Sequence, residues 1–348
     1  MQRSLVSMAL VLLASGCSSY LSVAPQGHTL HDVHGGIQTE EWVWRGTRDF
    51  WLFTRSWRPI ADARAVLIVV HGLRDHSARY DAFAEGLAQR GYAVYAFDQR
   101  GHGRSDGQGQ MVDAFDDYVI DLASFVAEVR QREPGRPIFL FGHSMGGAIA
   151  TLYTETRDPQ LAGLVLSAPA LRHHVDDVQH AFLDLSSVLF PYVGLLSLEE
   201  HDFTRDPDVL GAMEHDPLIH HESGPARTAA ELLSAIGRIR GWFDGLRVPV
   251  LVIHGDADRV TMPEGSVDLI AGATGTPDRT IWRCEGLFHD LLHEPEHGAL
   301  SDAIVGWLES RIAGPRPWLH AAPPDPCRDA TPAELIPPAP APPSSATP

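Results

Sequence analysis

The chain has 348 residues, enough for one large domain with a sizeable core or for two small ones. Hydrophobic residues make up 44% of it and charged residues 21%, as in ordinary soluble globular proteins. Its 27 basic and 45 acidic side chains give a net charge of -18. Such a negative field repels the phosphate backbone of nucleic acids, so we exclude nucleic acid as a partner.

The first sixteen residues have the pattern of a secretory signal peptide. Arg3 supplies a positive start, and residues 5–13 form an apolar run that only Ser7 interrupts. This run is too short for a permanent membrane span. Small residues follow it, directly before Cys17, and small residues at this place mark a cleavage site. Residues 1–16 are therefore predicted to be removed during export.

Residues 14–17, Ala-Ser-Gly-Cys, resemble the lipobox of bacterial lipoproteins, although Ala14 stands where that pattern prefers Leu. The resemblance implies that Cys17 receives a diacylglycerol and becomes the mature N-terminus. Ser18, in place of an Asp, implies delivery to the outer membrane. Several acyl chains anchor a protein stably, so we expect a protein of the cell envelope with a lipid anchor. An ordinary signal peptide with an incidental cysteine is the alternative.

Both ends of the mature chain have compositions that oppose a packed core. Residues 17–38, with several Pro and Gly, are interpreted as a linker. Residues 314–348 are rich in Pro and Ala and are predicted to be disordered, because they bury too little apolar surface to offset their ordering entropy. Cys284 and Cys327 either form a disulfide after export to an oxidising compartment or remain separate.

Strand and helix signals alternate between these ends. Runs that are apolar on both faces, as buried parallel strands require, occupy residues 66–70, 93–97, 138–141, 164–166 and 250–253. Helical patterns lie between several of them, for example at 80–90 and 118–132, and residues 42–44 and 50–53 indicate an antiparallel start. This alternation predicts an α/β fold with a mostly parallel sheet and right-handed crossovers. The core is expected in two parts, 39–170 and 241–313.

Residues 171–240 interrupt the alternation because they contain no buried-strand signal. They are interpreted as a helical cap over the carboxyl edge of the sheet, where open α/β sheets bind ligands. From Val175 to Val193, apolar residues recur on two helical faces, and Pro191 is expected to end or kink the helix. Such a helix either packs onto the core alone or also lines an acyl tunnel or enters lipid.

The strongest catalytic signal is the sequence Gly-His-Ser-Met-Gly-Gly at residues 142–147, which matches the G-x-S-x-G nucleophile elbow. It follows the apolar strand at 138–141 and precedes a helix-like stretch, as an elbow requires. Glycines on both sides let the strand and the helix approach closely, and the turn presents the hydroxyl at the sheet edge. Ser144 is the predicted nucleophile; a glycine-rich turn with an incidental serine is the alternative.

A serine nucleophile needs a base that an acid orients, and in the α/β-hydrolase order the acid precedes the histidine. Asp256 and Asp258 both follow the strand at 250–253. We prefer Asp258 because it lies further into the loop, whereas Asp256 suits stabilisation of the turn. His289, on a loop after the strand-like residues 280–284, is the predicted base, and His293 is its nearest rival.

Two backbone N–H groups are expected to stabilise the oxyanion: that of Met145, directly after the nucleophile, and that of Leu73, after the strand at 66–70. His289 and His293 have the i, i+4 spacing of a zinc motif. However, Asp290 replaces the glutamate of H-E-x-x-H, and no third ligand cluster is evident. We therefore expect neither a metal nor a cofactor.

Together these segments resemble the monoacylglycerol lipase and lysophospholipase family of α/β-hydrolases over residues 40–312. Residues 71–80 are similar to the family's H-G-x-G-E-H-S-x-R-Y segment, and residues 98–105 to its D-x-R-G-H-G-x-S turn, which we interpret as structural. The motifs of Ser144, Asp258 and His289 follow in the family's order. Arg74 departs from the second glycine of the first segment, and we expect it to narrow or charge the entrance.

The resemblance implies hydrolysis of the acyl ester of a monoacylglycerol or lysophospholipid, through an acyl-enzyme and without a cofactor. The alternatives on the same fold are a short-chain carboxylesterase and an aminopeptidase. An aminopeptidase needs acidic cap residues for the substrate amine, and Glu199, Glu200 and Asp202 are the candidates. A non-catalytic lipoprotein that binds lipid or a partner is a different class, which the presence of all three triad residue types argues against.

Overall fold

A computed structural model of the chain describes residues 30–157, 160–312 and 322–330. Within these ranges there are twelve strands: β1 (Leu30–His34), β2 (Ile37–Arg45), β3 (Trp51–Pro59), β4 (Ala65–Val70), β5 (Tyr92–Phe97), β6 (Ile138–His143), β7 (Gly163–Ser167), β8 (Gly194–Leu196), β9 (Gly224–Pro225), β10 (Val250–Gly255), β11 (Arg279–Cys284) and β12 (Cys327–Asp329). The same ranges contain eight α-helices: α1 (Asp81–Gln89), α2 (Phe115–Arg132), α3 (Met145–Thr156), α4 (Asp177–Leu189), α5 (Pro207–Glu214), α6 (Ala226–Arg240), α7 (Pro263–Gly272) and α8 (His297–Ile312).

Ten of the described strands form one sheet in the order β1-β2-β3-β5-β4-β6-β7-β10-β11-β12. The neighbours from β5 to β11 are parallel. The strands at the two margins pair in the antiparallel sense. The predicted α/β class and its mostly parallel sheet are confirmed, and the five predicted buried strands correspond to β4, β5, β6, β7 and β10.

The sheet is buried on both faces, which explains why its central strands are apolar throughout. Along β4, Val66, Ile68 and Val70 belong to the apolar cluster that also contains residues of α2, α3 and α7. Leu67 and Val69 belong to the opposite cluster, with residues of α1 and α8. Helices therefore cover both faces, and the carboxyl edge of the parallel strands remains for the loops that carry polar residues.

The predicted linker is ordered from Leu30 onward, so the expectation for residues 30–38 is wrong. β1 and β2 form an antiparallel hairpin at the sheet margin. Gly35 and Gly36 connect them with φ values of +58° and +82°. A two-residue hairpin turn of this type needs positive φ at both positions, so these glycines signal a hairpin and not a flexible connection.

The predicted disordered tail also contains an ordered segment. β12 pairs with β11, and a disulfide joins Cys284 to Cys327 across this pair. Residues 322–330 therefore have backbone partners and a covalent link that compensate for their few apolar side chains. The remaining tail residues, the predicted signal peptide at 1–16 and Cys17 lie outside the described residues.

The insertion between β7 and β10 contains α4, α5, α6 and the small sheet of β8 and β9. α4 begins after Asp176, whose side chain accepts from the backbone N–H groups of Val178 and Gln179, and it ends two residues before Pro191. α4 packs against α6. Its other face is exposed, so packing onto the core does not account for the whole apolar pattern. Every helix in the described ranges is too short or too polar to cross a membrane.

Candidate active site

Ser144 lies between β6 and α3 in a backbone conformation that side chains rarely adopt, with φ 54° and ψ −121°. The neighbouring glycines explain how the turn is possible. A Cβ at Gly146 would lie 2.1 Å from the carbonyl oxygen of Val70, and one at Gly142 would lie 2.7 Å from that of Gly146. The turn is therefore strained at the one residue whose hydroxyl must project, as a nucleophile elbow requires.

The loop after β4 lies directly against this serine. A Cβ at Gly72 would approach the Cβ of Ser144 to 3.0 Å. His71 fixes the loop, since its Nδ1 donates to the carbonyl oxygen of Gly72 at 2.8 Å and its Nε2 accepts from the backbone N–H of Gln99 at 2.9 Å. Burial lowers the pKa of His71, in agreement with a neutral ring that both donates and accepts. Leu73 follows at the place expected for an oxyanion donor.

Asp258 and His289 lie together, as the order of the motifs predicted. The Nδ1 of His289 is 2.9 Å from Oδ2 of Asp258, and both side chains are fully buried. Burial alone would raise the pKa of Asp258, but His289 and His254 beside it hold that pKa far below its usual range. An ionised Asp258 only accepts, so the Nδ1 of His289 carries the proton, and in the neutral form of this tautomer Nε2 has the lone pair.

The Nε2 of His289 is buried and has no hydrogen-bond partner within the described ranges. The ring lies between two aromatic neighbours, with centroid distances of 4.7 Å to His143 and 5.5 Å to Phe203. Burial lowers the pKa of His143 to about 4, so this neighbour is neutral at physiological pH and does not repel an imidazolium at His289. The arrangement leaves one unpaired base nitrogen in the site.

Asp258 has further partners that sequence reasoning missed. Its Oδ1 accepts from the backbone N–H groups of Val260 and Thr261 at 2.7 and 3.0 Å. Its Oδ2 is 3.0 Å from Nε2 of the buried His254, whose Nδ1 contacts the hydroxyl of Ser266 at 2.6 Å. His254 directly precedes Gly255 in the His-Gly-Asp-Ala-Asp segment, and only the fold reveals that it turns towards the carboxylate four residues later.

Asp256 and His293, the two rivals, are engaged elsewhere. Asp256 forms an ion pair of 2.7 Å with Arg283 on the adjacent strand. His293 contacts Oδ1 of Asp290 and the backbone carbonyl of Arg79, each at 2.8 Å. The carboxylate of Asp290 also accepts from Arg79 at 2.6 Å. The structure thus separates the two histidines onto different carboxylates, and His293 belongs to a buried network that supports the His289 loop.

The turn at residues 98–105 also serves the scaffold. Asp98 accepts from the backbone N–H and the hydroxyl of Ser77 at 2.8 and 2.6 Å. It accepts from the backbone N–H of Arg104 at 2.8 Å as well. Asp98 therefore joins its own turn to the 71–80 segment, in agreement with its interpretation as structural.

A cavity of roughly 590 Å³ opens beside the elbow, and Ser144, Met145, Leu73 and Asp258 are part of its lining. The cap supplies an apolar wall, made of Leu196, Leu198, Leu232, Leu233 and Ile236. The rest of the lining is mixed and includes charged residues of both signs, among them Arg172, Arg283, Asp256 and Glu264. The cavity therefore combines a nucleophile with an apolar cap wall and with charged lining residues, which suits a substrate with an apolar chain and a polar head.

The expectation that Arg74 narrows or charges the entrance is wrong. Arg74 does not line the cavity, and its side chain is directed into the cap. Its guanidinium donates to three backbone carbonyls there, at distances from 2.6 to 2.9 Å. The sequence could not reveal this, because the cap residues follow more than 120 positions later in the chain.

Comparisons with known proteins agree with this geometry. Residues 61–296 match the family model described as "Serine aminopeptidase, S33". The chain is 32% identical over 258 residues to the monoacylglycerol lipase of Mycolicibacterium smegmatis, covering 74% of this chain and 92% of the relative. It is 31% identical to the monoglyceride lipase of Rattus norvegicus, covering 76% and 88%. The solved structure of the Paleococcus ferrophilus monoacylglycerol lipase matches with a TM-score of 0.68 at 30% identity, covering 75% of this chain and 99% of that one.

Proposed function

The chain belongs to the α/β-hydrolase family that the serine aminopeptidase S33 model describes and that includes monoacylglycerol lipases, and from this premise we propose its reaction. The protein is a carboxylic-ester hydrolase that cleaves the acyl ester of a monoacylglycerol or lysophospholipid through an acyl-enzyme on Ser144. The observation that carries the proposal is the buried pair of Asp258 and His289, which leaves Nε2 of His289 unpaired, with the ring 4.7 Å from that of His143 in the elbow.

In the proposed reaction, Nε2 of His289 takes the proton of the Ser144 hydroxyl while the oxygen attacks the ester carbonyl carbon. The backbone N–H groups of Leu73 and Met145 donate to the oxyanion of the tetrahedral intermediate. The intermediate collapses, and His289 returns the proton to the departing glycerol oxygen. Water then attacks the acyl-enzyme with His289 again as base, and the fatty acid leaves. Asp258 holds the imidazole tautomer and stabilises the imidazolium.

The cavity supports a lipid ester over a peptide. Its apolar wall suits an acyl chain, and its charged lining residues suit a hydroxylated or zwitterionic head group. Glu199, Glu200 and Asp202, the candidate amine-binding residues of the cap, are not part of the cavity lining, whereas Asp256 and Glu264 are. The carboxylate of Glu200 is 2.6 Å from Nδ1 of His221, and Asp202 forms an ion pair of 3.4 Å with Arg259. These contacts argue against an amine-binding role for Glu200 and Asp202, although the family description names an aminopeptidase.

The test is fatty-acid or product release from a long-chain monoacylglycerol, a lysophospholipid, a short p-nitrophenyl ester and an aminoacyl amide. Wild type and Ser144→Ala are compared, with thermal unfolding to establish that both are folded. We expect turnover that depends on Ser144 and is highest on the monoacyl lipids. Turnover of the amide alone would support the aminopeptidase, and turnover of none would support a binding protein.

Export and membrane attachment are part of the proposal. The Cys284–Cys327 disulfide suits an oxidising compartment. The exposed face of α4 carries Val178, Phe182 and Leu185, each at least 59% exposed, and an apolar face of this kind suits a protein held at a lipid surface. We expect Cys17 to bear the anchor. Incorporation of labelled fatty acid into wild type and its loss in Cys17→Ser would support this, and equal labelling of both would oppose it.

A further inference from the structure

Arg74 is a buried cation that forms no direct ion pair within the described residues, although Glu199, Glu200 and Glu222 attract it from a longer distance, and it lies at the junction of core and cap. Its side chain donates to the carbonyl of Leu198 at 2.6 Å and to those of His221 and Glu222 at 2.7 and 2.9 Å. Only 4% of the residue is exposed. Removing a guanidinium from water is costly, so these three carbonyls compensate for a substantial desolvation.

The backbone at Arg74 is also unfavourable, with φ +55°. This is the left-handed region, in which a residue with a Cβ is less stable than glycine. The 71–80 segment resembles a pattern that has glycine at this position, and the conformation explains why. An arginine here therefore adds backbone strain to desolvation, and the hydrogen bonds of its side chain are the compensation that the structure provides.

The contacts of Arg74 connect two walls of the cavity. Leu73, directly before it, lines the cavity and offers the proposed oxyanion donor. Leu198 lines the cavity from the cap, next to β8, while His221 and Glu222 lead into β9. β8 and β9 pair with each other. One side chain therefore binds both approaches to the small cap sheet and holds them against the loop after β4.

We propose that Arg74 is a positioning residue that fixes the apolar cap wall at Leu196 and Leu198 relative to Ser144, and that it thereby sets the acyl-chain preference of the enzyme. This inference rests on the proposed ester hydrolysis. Arg74 acts through the wall and the loop, because its own side chain does not line the cavity.

Other contacts keep the cap in place when Arg74 is replaced, so the proposal does not require the cap to unfold. His76 contacts Asp216 of the cap at 2.9 Å. Thr228 donates to the carbonyl of Gln110 at 2.8 Å and accepts from the backbone N–H of Val112 at 3.1 Å. Loss of the Arg74 contacts should therefore loosen the region of β8 and β9 locally.

The test compares Arg74→Gly, Arg74→Met and Arg74→Lys with wild type. Glycine suits the backbone conformation and removes the side chain, methionine keeps the apolar stem without donors, and lysine keeps the charge with fewer directed hydrogen bonds. Arg136→Gly is the matched control, because Arg136 forms a surface ion pair with Asp62 at 3.4 Å, and both residues lie at the amino ends of the parallel strands, at the sheet edge opposite to the cap. The kcat and KM values are measured for monoacylglycerols of 8 to 18 carbons.

We expect the ratio of kcat/KM between the best and the worst chain length to fall at least three-fold in Arg74→Gly and Arg74→Met. This change should arise mainly from KM, and Arg74→Lys should restore part of it. Amide hydrogen exchange at residues 194–198 and 221–225 should be faster than in wild type in Arg74→Gly and Arg74→Met. The increase should be smaller in Arg74→Lys. A ratio that changes less than three-fold, or a loss of kcat shared equally by all chain lengths, would overturn the proposal.

Hydrogen exchange is measured without substrate, so it tests the contacts of Arg74 even if the protein hydrolyses no ester. Failure of the proposed function would appear instead as ester turnover that does not depend on Ser144. An unchanged exchange rate in Arg74→Gly would contradict the role of Arg74 whatever the substrate.

Discussion

The carboxyl edge of the sheet and the cap above it are built in opposite ways. At the edge, Asp258 and His289 are fully buried, and each lies on a short loop after a strand. On the cap, Val178 and Val188 of α4 are 80% and 70% exposed, and the two strands β8 and β9 are only three and two residues long. Catalysis needs side chains that are fixed in position before the substrate binds, whereas the entrance for a lipid tolerates an exposed apolar surface. The predictions below test this difference.

The largest effect is expected at the acid of the triad. Asp258→Asn removes the charge that holds the tautomer of His289, so kcat should fall by about 10⁴-fold without loss of folding. Asp256→Asn is the control, because Asp256 pairs with Arg283 and does not contact His289. Steady-state kinetics on one monoacylglycerol give the kcat of wild type and of both variants. Equal losses in the two variants would refute the assignment.

The second effect compares a glycine of the edge with one of the cap. Gly146→Ala places a Cβ 2.1 Å from a backbone oxygen and should cost about 3 kcal/mol or more in the free energy of unfolding. Gly237→Ala in α6 meets nothing within 4 Å and should stabilise the protein by about 0.5–1 kcal/mol, because alanine is the better helix former. Denaturant unfolding measures both. A harmless Gly146→Ala would show that the elbow adapts.

The third effect concerns α3, which carries the nucleophile at one end and Glu155 near the other. Both carboxyl oxygens of Glu155 are buried and unpaired within the described ranges, and burial, aided by Asp244, raises its pKa to about 8. A raised pKa means that stability is lost as the pH rises from the unfolded value of 4.5 towards 8. Glu155→Gln should remove this loss, because a neutral amide does not titrate.

Melting temperatures at pH 5 and pH 8 measure that prediction. The difference between the two pH values should be a few degrees smaller in Glu155→Gln than in wild type. The variant should gain stability at pH 8 relative to wild type. A parallel shift at both pH values would mean that Glu155 is not protonated in the folded protein.

The smallest effect on stability is expected on the exposed cap face. Phe182→Ser should change the free energy of unfolding by less than about 0.5 kcal/mol, because the side chain is 63% exposed. Turnover of monoacylglycerol in vesicles should nevertheless fall several-fold, while turnover of a soluble short ester stays the same. Ile60→Ser, at a residue that is 66% exposed outside the cap, is the control. Equal vesicle activity in both variants would contradict a lipid-facing cap.

The sequence was most informative where one residue type is dictated by the backbone. The elbow glycines, the apolar strands and the order of Ser144, Asp258 and His289 predicted the sheet and the residues of the edge, since local geometry restricts these positions. The choice of Asp258 over Asp256 followed from its position further into the loop and from the suitability of Asp256 for stabilising the turn. Pro191 likewise predicted the end of α4, which lies two residues before it.

Contacts between distant segments were not predictable in the same way. The direction of Arg74, the pairing of His254 with Asp258 and the network of Arg79, Asp290 and His293 depend on segments that meet only in the folded chain. Gly35 and Gly36 were misinterpreted because the composition of a linker and that of a hairpin turn are alike. The strand at Cys327 was missed because its order depends on pairing and a disulfide, and not on its own side chains.

Labelling with a fluorophosphonate that carries a mass tag tests the central claim most directly. The folded wild-type protein is treated with the probe and digested, and the modified residue is identified by mass spectrometry. The account predicts a single adduct on Ser144, formed much more slowly in Asp258→Asn and at the normal rate in Asp256→Asn, in parallel with monoacylglycerol turnover. An adduct on another residue, or ester turnover that survives complete labelling of Ser144, would contradict it.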